Sequence, residues 1–262
     1  MQRHELNRHF EWQPISGPFR TLNAAQARQY NEAGYFVFEG AFTPEEVSRV
    51  REAIDPIEQA HEAKLRERHG GRLFISKADA ITFSVHIVTR SEVARDFSRH
   101  PVFRDICHDI IGEKARLYWD QAVYKKPGNP EEFPWHQDNG YTYMEPQQYL
   151  TCWVALTDAT LENGCPWVAP GLHLNGTLAH EPTDLGFQCA RDPEGAVAVP
   201  VKSGDIVVFS SLTPHRTGPN LTSETRRSYI LQYAPDGVVA LDPLSGENKP
   251  ANHPDRQYYV DF

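Results

Sequence analysis

The sequence has few cysteines and no long apolar run. Its 262 residues include only four cysteines, at positions 107, 152, 165 and 189, with no C-x-x-C pair among them. This spacing excludes a zinc ribbon and a thioredoxin-like motif, so each cysteine is expected to be a small buried apolar residue. No stretch approaches the ~18 to 20 apolar residues of a membrane span, and the start of the chain is too polar for a signal peptide. We therefore expect a soluble protein of a reducing compartment, the cytoplasm.

Basic side chains are also in the minority. The 26 Lys and Arg residues stand against 35 Asp and Glu, which gives a net charge of −9. An acidic chain is poorly suited to neutralising the phosphates of a nucleic acid or an anionic membrane, so neither partner is expected. The hydrophobic fraction of 40% is enough for a substantial core. The expected partner is a small molecule, and the sequence does not predict an oligomeric state.

Helix signals come first along the chain. Residues 23–33 are rich in Ala, Gln and Arg and stop at Gly34, and a short strand is predicted at Tyr35 to Phe38. The segment Thr43-Pro44-Glu45-Glu46 has the pattern of a capping box with proline at the first helical position. It predicts a long helix towards Arg68. Two shorter helices are predicted near residues 91–98 and 102–111.

Short segments rich in β-branched and aromatic residues follow Gly112. They lie at 115–126, 148–157, 165–169, 196–201, 206–210 and 227–234, with turn residues between them. Helices followed by many short strands predict an α+β fold with an antiparallel jelly-roll barrel in the second half. We expect one domain over residues 1–262, with helical support at 22–112, a barrel core at 113–235 and a C-terminal tail at 236–262 that is an ordered loop or a flexible end.

The sequence contains twelve histidines. Histidine is the side chain that most often binds a metal. A metal used with oxygen needs two imidazoles and one carboxylate on one face, and His-x-Asp or His-x-Glu on a strand supplies two of these. Three such triplets occur, beginning at His9, His136 and His253, so the triplet alone is no evidence. Only His136-Gln137-Asp138 lies between predicted barrel strands. The other two lie in a polar N-terminal segment and a proline-rich tail.

The third ligand should come from the end of a distant strand. His215 follows the buried segment 206–210 and is placed to face the barrel mouth, with an ordinary structural histidine as the alternative. A 2-oxo acid that chelates the metal has a far carboxylate, which needs a rigid bidentate cation such as arginine. Arg226 lies eleven residues after His215. Arg227, on the opposite face of the same strand, competes with it for this role.

Several sequence blocks together resemble the phytanoyl-CoA dioxygenase family of iron(II)- and 2-oxoglutarate-dependent oxygenases. They are W-H-Q-D at 135–138, T-D-A-T-L-E-N-G-C at 157–165, P-G-L-H at 170–173, and H-R-T-G-P-N from 215 followed by R-R-S from 226. The resemblance covers about Leu22 to Ala234. It implies a double-stranded β-helix core that uses Fe(II), with 2-oxoglutarate and O2 as cosubstrates.

The resemblance also implies roles for single residues. It makes His136, Asp138 and His215 the iron ligands and Arg226 the side chain that binds the C5 carboxylate of 2-oxoglutarate. Further positions that it places at the cosubstrate are Thr217, Trp153 and Thr151. For Thr217 the alternative is a turn hydroxyl that bonds its own backbone, and for the other two it is ordinary barrel core.

The expected reaction is oxidation of an unactivated C–H bond, with release of succinate and CO2. The carboxylate of Asp138 favours oxygen insertion, because halogenases of the family have a small residue at this position. Pocket walls are expected to be apolar and aromatic, with plain core packing as the alternative for each candidate: Tyr141, Tyr143, Trp167 and Phe83. No basic cluster for a CoA phosphate is visible, so the family name does not assign the substrate, and a small, partly apolar metabolite is expected.

Two other classes of protein fit parts of this pattern. One is a non-catalytic barrel that binds iron or a 2-oxo acid as a sensor or scaffold. The other is a metal-dependent hydrolase or isomerase, in which two histidines and one aspartate hold zinc. Such a hydrolase has no need for an arginine eleven residues after its last ligand.

Overall fold

The computed structural model describes residues 1–242 and 247–260. The α-helices in this part of the chain are α1 (Ala24–Ala33), α2 (Pro44–Arg68), α3 (Glu92–Phe97) and α4 (Pro101–Ile110). The strands are β1 (Tyr35–Phe38), β2 (Arg72–Leu73), β3 (Ser76–Lys77), β4 (Ile81–Val85), β5 (Ala115–Lys125), β6 (Phe133–His136), β7 (Met144–Glu145), β8 (Leu150–Ala155), β9 (Pro166–Val168), β10 (Glu181–Thr183), β11 (Gly186–Gln188), β12 (Val197–Ala198), β13 (Ile206–Ser210), β14 (His215–Thr217), β15 (Arg226–Pro235), β16 (Val239–Leu241) and β17 (Asn248–Pro250).

Two antiparallel sheets form the barrel. The larger has eight strands in the order β1-β13-β8-β15-β5-β4-β3-β2, and the smaller has four in the order β12-β9-β14-β6. Trp153 and Phe209 of the large sheet pack in one buried cluster with Val168 of the small sheet. The two sheets therefore face each other across an interior, which is the predicted jelly roll with an α+β architecture.

The helices cover the other face of the large sheet. Ile54 of α2 and Phe103 of α4 share the largest hydrophobic cluster with Cys152 of β8 and Tyr229 of β15. Successive side chains of a strand point to opposite faces, so Cys152 packs against the helices while its neighbour Trp153 points into the barrel. The large sheet thus separates a helical core from the barrel interior.

Most predicted elements are present, and their ends match the prediction or shift by one or two residues. The capping box at the start of α2 forms, since the Thr43 hydroxyl accepts from the Glu46 N–H at 3.3 Å and the Glu46 carboxylate accepts from the Thr43 N–H at 2.8 Å. The segment 196–201 shortens to the two-residue strand β12. The histidines that begin the three triplets, His9, His136 and His253, all lie in the part of the chain that the structure describes. Of these three, only His136 is buried.

Two regions differ from the expectation. The predicted helical support also contains β2, β3 and β4, and β4 pairs with β5 inside the large sheet. Four of the five β4 residues are buried, so the strand lacks the alternation that marks a half-exposed strand in a sequence. In the tail, β16 pairs with β7 and Val260 is fully buried, so the described part of the tail packs on the barrel. No helix among the described residues is both long and apolar enough to cross a membrane.

Candidate functional site

Strand pairing brings three candidate metal ligands together in the barrel. His136 ends β6 and His215 begins β14, and the antiparallel register sets these two residues directly opposite each other. Asp138 follows in the next turn, and its Oδ1 atom lies 4.0 Å from Nε2 of His136 and 3.9 Å from Nε2 of His215. One ligand atom from each residue lies within 4.8 Å of the others, and no second group of this kind occurs in residues 1–242 and 247–260.

Hydrogen bonds fix which nitrogen of each imidazole is available. Nδ1 of His136 lies 2.8 Å from the Pro134 carbonyl, and Nδ1 of His215 lies 3.0 Å from the Thr213 carbonyl. A carbonyl only accepts, so each Nδ1 carries the proton and each Nε2 presents a lone pair towards Asp138. Distances of about 4 Å are too long for hydrogen bonds between the three side chains. Their ligand atoms are therefore free to bind a shared ion.

Burial sets the protonation of this group. It lowers the pKa of His136 to about 3, with the neighbouring His215 as a second cause, and it lowers the pKa of His215 to about 4. Both imidazoles are thus neutral at pH 7, as a metal requires. Burial raises the pKa of Asp138, while His136 and the side chains of Thr151 and Gln232 oppose this shift. A bound cation would favour the ionised carboxylate.

Gln137, between the two ligands of the triplet, points away from them and anchors the turn. Its amide nitrogen donates to the carbonyls of Gly176 at 3.0 Å and Leu212 at 2.5 Å, and its amide oxygen accepts from the Leu178 N–H at 2.6 Å. The side chain is fully buried. The extended backbone at Gln137, between the end of β6 and the turn, therefore directs His136 and Asp138 to the site and Gln137 to the supporting structure.

Arg226 offers an unpaired edge of its guanidinium inside the barrel. The residue is 1% exposed, and its Nη1 donates to the Ser228 hydroxyl at 2.7 Å. Its Nε and Nη2 atoms are buried and have no hydrogen-bond partner among the described residues. Burial lowers its pKa to about 9, which leaves it protonated at neutral pH. A buried, unpaired Nε–Nη2 edge fits a carboxylate that accepts two parallel hydrogen bonds.

The neighbouring arginine faces the other way. Nε of Arg227 lies 3.3 Å from Oδ1 of Asp55 in α2, and its guanidinium lies 5.5 Å from the ring centroid of Tyr124. Arg227 is therefore on the helix-covered face of β15. Of the two arginines that compete for the carboxylate, only Arg226 points into the barrel, where its guanidinium packs on Trp153.

A cavity of about 420 Å³ is lined by the candidate ligands and by five of the residues predicted at the cosubstrate or in the pocket wall. Thr217, Trp153, Thr151, Phe83 and Tyr141 all line it. The guanidinium of Arg226 lies 5.2 Å from the ring centroid of Trp153, which connects the unpaired edge to the cavity. The Thr151 hydroxyl donates to Oδ2 of Asp138 at 2.5 Å, so its nearest partner is the metal-ligand carboxylate.

Two predicted wall residues lie elsewhere. Trp167 pairs with Arg216 in the β9–β14 register, and the Arg216 guanidinium lies 4.9 Å from its ring centroid. Both point away from His215, because adjacent residues of a strand face opposite sides. Tyr143 follows the ligand turn but packs on His4 of the N-terminal segment at 4.8 Å between ring centroids. Neither Trp167 nor Tyr143 lines the cavity that holds the candidate ligands.

Several cavity residues were not found in the sequence. Ile230 and Gln232 follow Arg226 at steps of two on β15, and Trp119 and Gln121 are their neighbours on β5. The two-residue period of a strand, counted from Arg226, could have found the β15 pair. Four further wall residues come from short hairpins with no periodic signal: Leu73, Phe74, Ile75 and Phe187.

The donor set and the arginine fit the groups that the family uses. Two neutral imidazoles and one carboxylate on one face, with space beside them, are the ligand set of non-haem iron(II) oxygenases. The unpaired edge of Arg226 beside the same cavity fits the far carboxylate of 2-oxoglutarate. Both conclusions, on the metal and on the cosubstrate, rest on the side chains of this protein alone.

Comparison with known proteins gives consistent matches. The profile described as phytanoyl-CoA dioxygenase matches residues 30–228. The Bos taurus protein described as phytanoyl-CoA dioxygenase domain-containing protein 1 is 26% identical over 261 residues, covering 79% of this chain and 88% of the relative. The methylphosphonate hydroxylase of Gimesia maris is 28% identical over 214 residues, covering 81% of both chains.

Solved structures show the same fold. EvdO2 from Micromonospora carbonacea var. aurantiaca, complexed with 2-oxoglutarate, superposes with a TM-score of 0.68 at 24% identity, over 87% of this chain and 98% of that chain. The family profile spans most of the chain and includes the three ligands and Arg226. The chain therefore belongs to the phytanoyl-CoA dioxygenase family and is an iron(II)- and 2-oxoglutarate-dependent dioxygenase.

Proposed function

We propose that this enzyme hydroxylates an unactivated C–H bond of a small, partly apolar molecule. One oxygen atom of O2 enters the product as a hydroxyl group, and the other enters succinate as 2-oxoglutarate loses CO2. Bound iron(II) supplies the activation of O2 that this reaction needs. The hydroxylase name of the Gimesia maris relative supports hydroxylation as the outcome.

Each side chain of the site has a role in this proposal. His136, Asp138 and His215 hold the metal through two Nε2 atoms and a carboxylate oxygen. Arg226 binds the far carboxylate of 2-oxoglutarate, and Thr217, which lines the cavity of the candidate ligands, contacts the cosubstrate. The expected arrangement excludes water from the cosubstrate, because Arg226 is 1% exposed and both histidine ligands are buried.

The residues around the cosubstrate have supporting roles. Trp153 packs beside the guanidinium of Arg226 and limits the space that the cosubstrate can occupy. Thr151 donates to Asp138 at 2.5 Å and so orients the carboxylate. Phe83 and Tyr141 form part of the substrate wall. A cytoplasmic location stays a prediction.

The observation that carries the proposal is the unpaired, buried edge of Arg226 beside the His-Asp-His group. A metal-dependent hydrolase or isomerase would not need a carboxylate-binding arginine at this position. A non-catalytic barrel would bind the cosubstrate but would not convert it. Turnover of 2-oxoglutarate therefore distinguishes the three classes.

The test is succinate release by purified protein with iron(II), 2-oxoglutarate and O2, screened against a collection of small apolar compounds. We expect one or more compounds to raise succinate release and to gain one oxygen atom by mass spectrometry. His136→Ala should reduce this release by at least about 100-fold, because it removes a metal ligand. Activity that persists in His136→Ala, or with zinc in place of iron, would contradict the proposal.

A further inference from the structure

Three aromatic rings from three separate segments form one wall of the cavity, here called the aromatic wall: Phe74, Tyr141 and Phe187. The ring centroids lie 6.2 Å apart for Phe74 and Tyr141, 5.9 Å for Phe74 and Phe187, and 5.2 Å for Tyr141 and Phe187. The interplanar angles of 63° to 77° are those of edge-to-face contacts. Tyr141 also lies edge-on to the ring of His136 at 5.4 Å, so the wall begins at a metal ligand.

The wall reaches solvent at Phe74. This residue is 59% exposed and lies in the tight turn between Leu73 and Ser76, which pair as the ends of β2 and β3. Its φ of 51° is in the left-handed region, which a bulky residue rarely adopts and glycine adopts readily. An exposed ring in a disfavoured backbone conformation contributes little to folding. The position of Phe74 is therefore better explained by what the ring contacts in the cavity.

The other two rings are held rigidly. The Tyr141 hydroxyl accepts a hydrogen bond from the Phe187 N–H at 3.1 Å. Gly186, with φ of +84°, allows this approach, because a Cβ atom there would lie 2.3 Å from the Tyr141 hydroxyl and 3.0 Å from Cγ2 of Ile75. The hairpin β10–β11 thus meets the hairpin β2–β3 over the cavity. The aromatic wall is organised before any substrate binds.

Apart from the metal and from Arg226, which the cosubstrate would occupy, the cavity offers no cation to a charged substrate. No Lys or Arg lines it within the part of the chain that the structure describes. Lys77, next to the β2–β3 turn, is paired with Glu131. Apart from the metal ligands, the polar side chains that face the cavity are neutral. One of them is Gln121, whose amide oxygen accepts from the Trp119 indole N–H at 3.2 Å. A phosphate, sulfonate or carboxylate would lose water here without gaining a counter-charge.

We propose that the substrate of this oxygenase is an uncharged molecule whose apolar ring system packs against the aromatic wall, and that Phe74 is a specificity-determining residue. The proposal excludes a substrate that would place an anionic group in the cavity. The inference rests on the proposed function only in taking this cavity as the substrate site. It goes further by assigning the class of substrate and the residue that selects it.

A matched pair of probes tests this directly. Naphthalene-1-sulfonamide and naphthalene-1-sulfonate have the same fused rings and similar size, but only the sulfonate is charged. Their dissociation constants can be measured by calorimetry with the protein, iron(II) and 2-oxoglutarate under anaerobic conditions. We expect the sulfonamide to bind at least tenfold more tightly than the sulfonate. Equal or tighter binding of the sulfonate, or no binding of either probe, would overturn the proposal.

Substitutions then test Phe74. Phe74→Gly relieves the left-handed backbone and removes the ring, so we expect an unchanged or higher unfolding temperature and sulfonamide binding weakened by about three- to tenfold. Phe74→Leu, which keeps an apolar side chain, should also weaken binding. Leu221→Gly is the control, because Leu221 is 65% exposed and lies outside the cavity. Wild-type affinity in both Phe74 variants would contradict the assignment.

The two proposals fail in different ways. Absence of succinate release with every compound counts against the oxygenase proposal and leaves the probe affinities interpretable. Tight binding of the sulfonate, together with normal succinate release, counts only against the substrate class. The binding measurement needs no turnover, so each result can be assigned to one proposal.

Discussion

At the scale of single residues, the hydrogen bonds of the site residues show which of their atoms are available to bind a ligand. Each ligand imidazole donates a hydrogen bond from Nδ1 to a backbone carbonyl, and this leaves Nε2 as the ligand atom. Arg226 differs, because two of its nitrogens have no partner in the described residues. A buried guanidinium without a carboxylate is costly in a folded protein. A bound carboxylate ligand would therefore explain why this guanidinium is buried with two nitrogens unpaired.

Thr151 supports a metal ligand through one hydrogen bond, which can be removed alone. Thr151→Val keeps the shape of the side chain but loses the donor to Oδ2 of Asp138. We expect the affinity for iron(II), measured by anaerobic titration, to fall by about tenfold, as for other residues that orient a ligand. Thr151→Ser keeps the hydroxyl and should retain most of the affinity. Wild-type metal affinity in Thr151→Val would show that the hydrogen bond does not orient Asp138.

At the scale of elements, the sequence does not show which face of β15 each of its side chains occupies. Arg226 and Arg227 are adjacent, and a strand sends them to opposite faces. The sequence predicts the strand but not its phase, because both of its faces are buried, one by helices and one by the barrel. The same ambiguity applies to Trp167. Register with the neighbouring strands, which is a tertiary property, decides both cases.

A second element-level feature is the attachment of the N-terminal segment to α4. The buried carboxylate of Asp109 accepts hydrogen bonds from the backbone N–H groups of Arg20 at 2.7 Å, Thr21 at 2.8 Å and Leu22 at 2.9 Å. Burial alone would raise the pKa of Asp109, but these three donors hold it below its ordinary value. The ionised carboxylate therefore positions the chain just before α1.

Asp109→Asn should destabilise the fold by about 2 to 4 kcal/mol at pH 7, because the neutral amide cannot satisfy three donors. A group with a depressed pKa stabilises the fold above its unfolded pKa of about 4 and loses that effect as the pH falls through the folded pKa. Urea denaturation should thus show a difference from wild type that shrinks below about pH 4. Asp105→Asn on the same helix is the control, since its carboxylate contacts only the adjacent Arg104 among the contacts described. Equal stability of the two variants would contradict this account.

At the scale of the whole molecule, the eight-stranded sheet divides structural from functional residues. Its helix-covered face holds the largest hydrophobic cluster, and its barrel face holds the cavity and the candidate ligands. The fold class could be predicted from helices followed by many short strands, and the cofactors from the resemblance of several sequence blocks to the family. The candidate ligands could be predicted because only one His-x-Asp or His-x-Glu triplet lies between barrel strands. The expectation of one domain stays a prediction.

The cavity walls could be predicted only in part. Phe83 and Tyr141 were found, whereas the contribution of Phe74 and Phe187 was missed. Those two residues come from short hairpins that meet only in the folded structure, at the close contact over Gly186. The periodicity of a sequence segment does not predict a contact between two distant hairpins. The substrate wall depends on long-range packing to a greater degree than the metal site does.

The central claim is that 2-oxoglutarate is consumed at this site, held by Arg226. The most direct measurement is the KM for 2-oxoglutarate in succinate release by wild type, Arg226→Lys and Arg227→Lys. We predict a rise of roughly 100-fold for Arg226→Lys, because lysine cannot form the bidentate contact, and a change within about twofold for Arg227→Lys. Equal effects of the two substitutions, or wild-type protein that releases no succinate with any compound, would contradict the account.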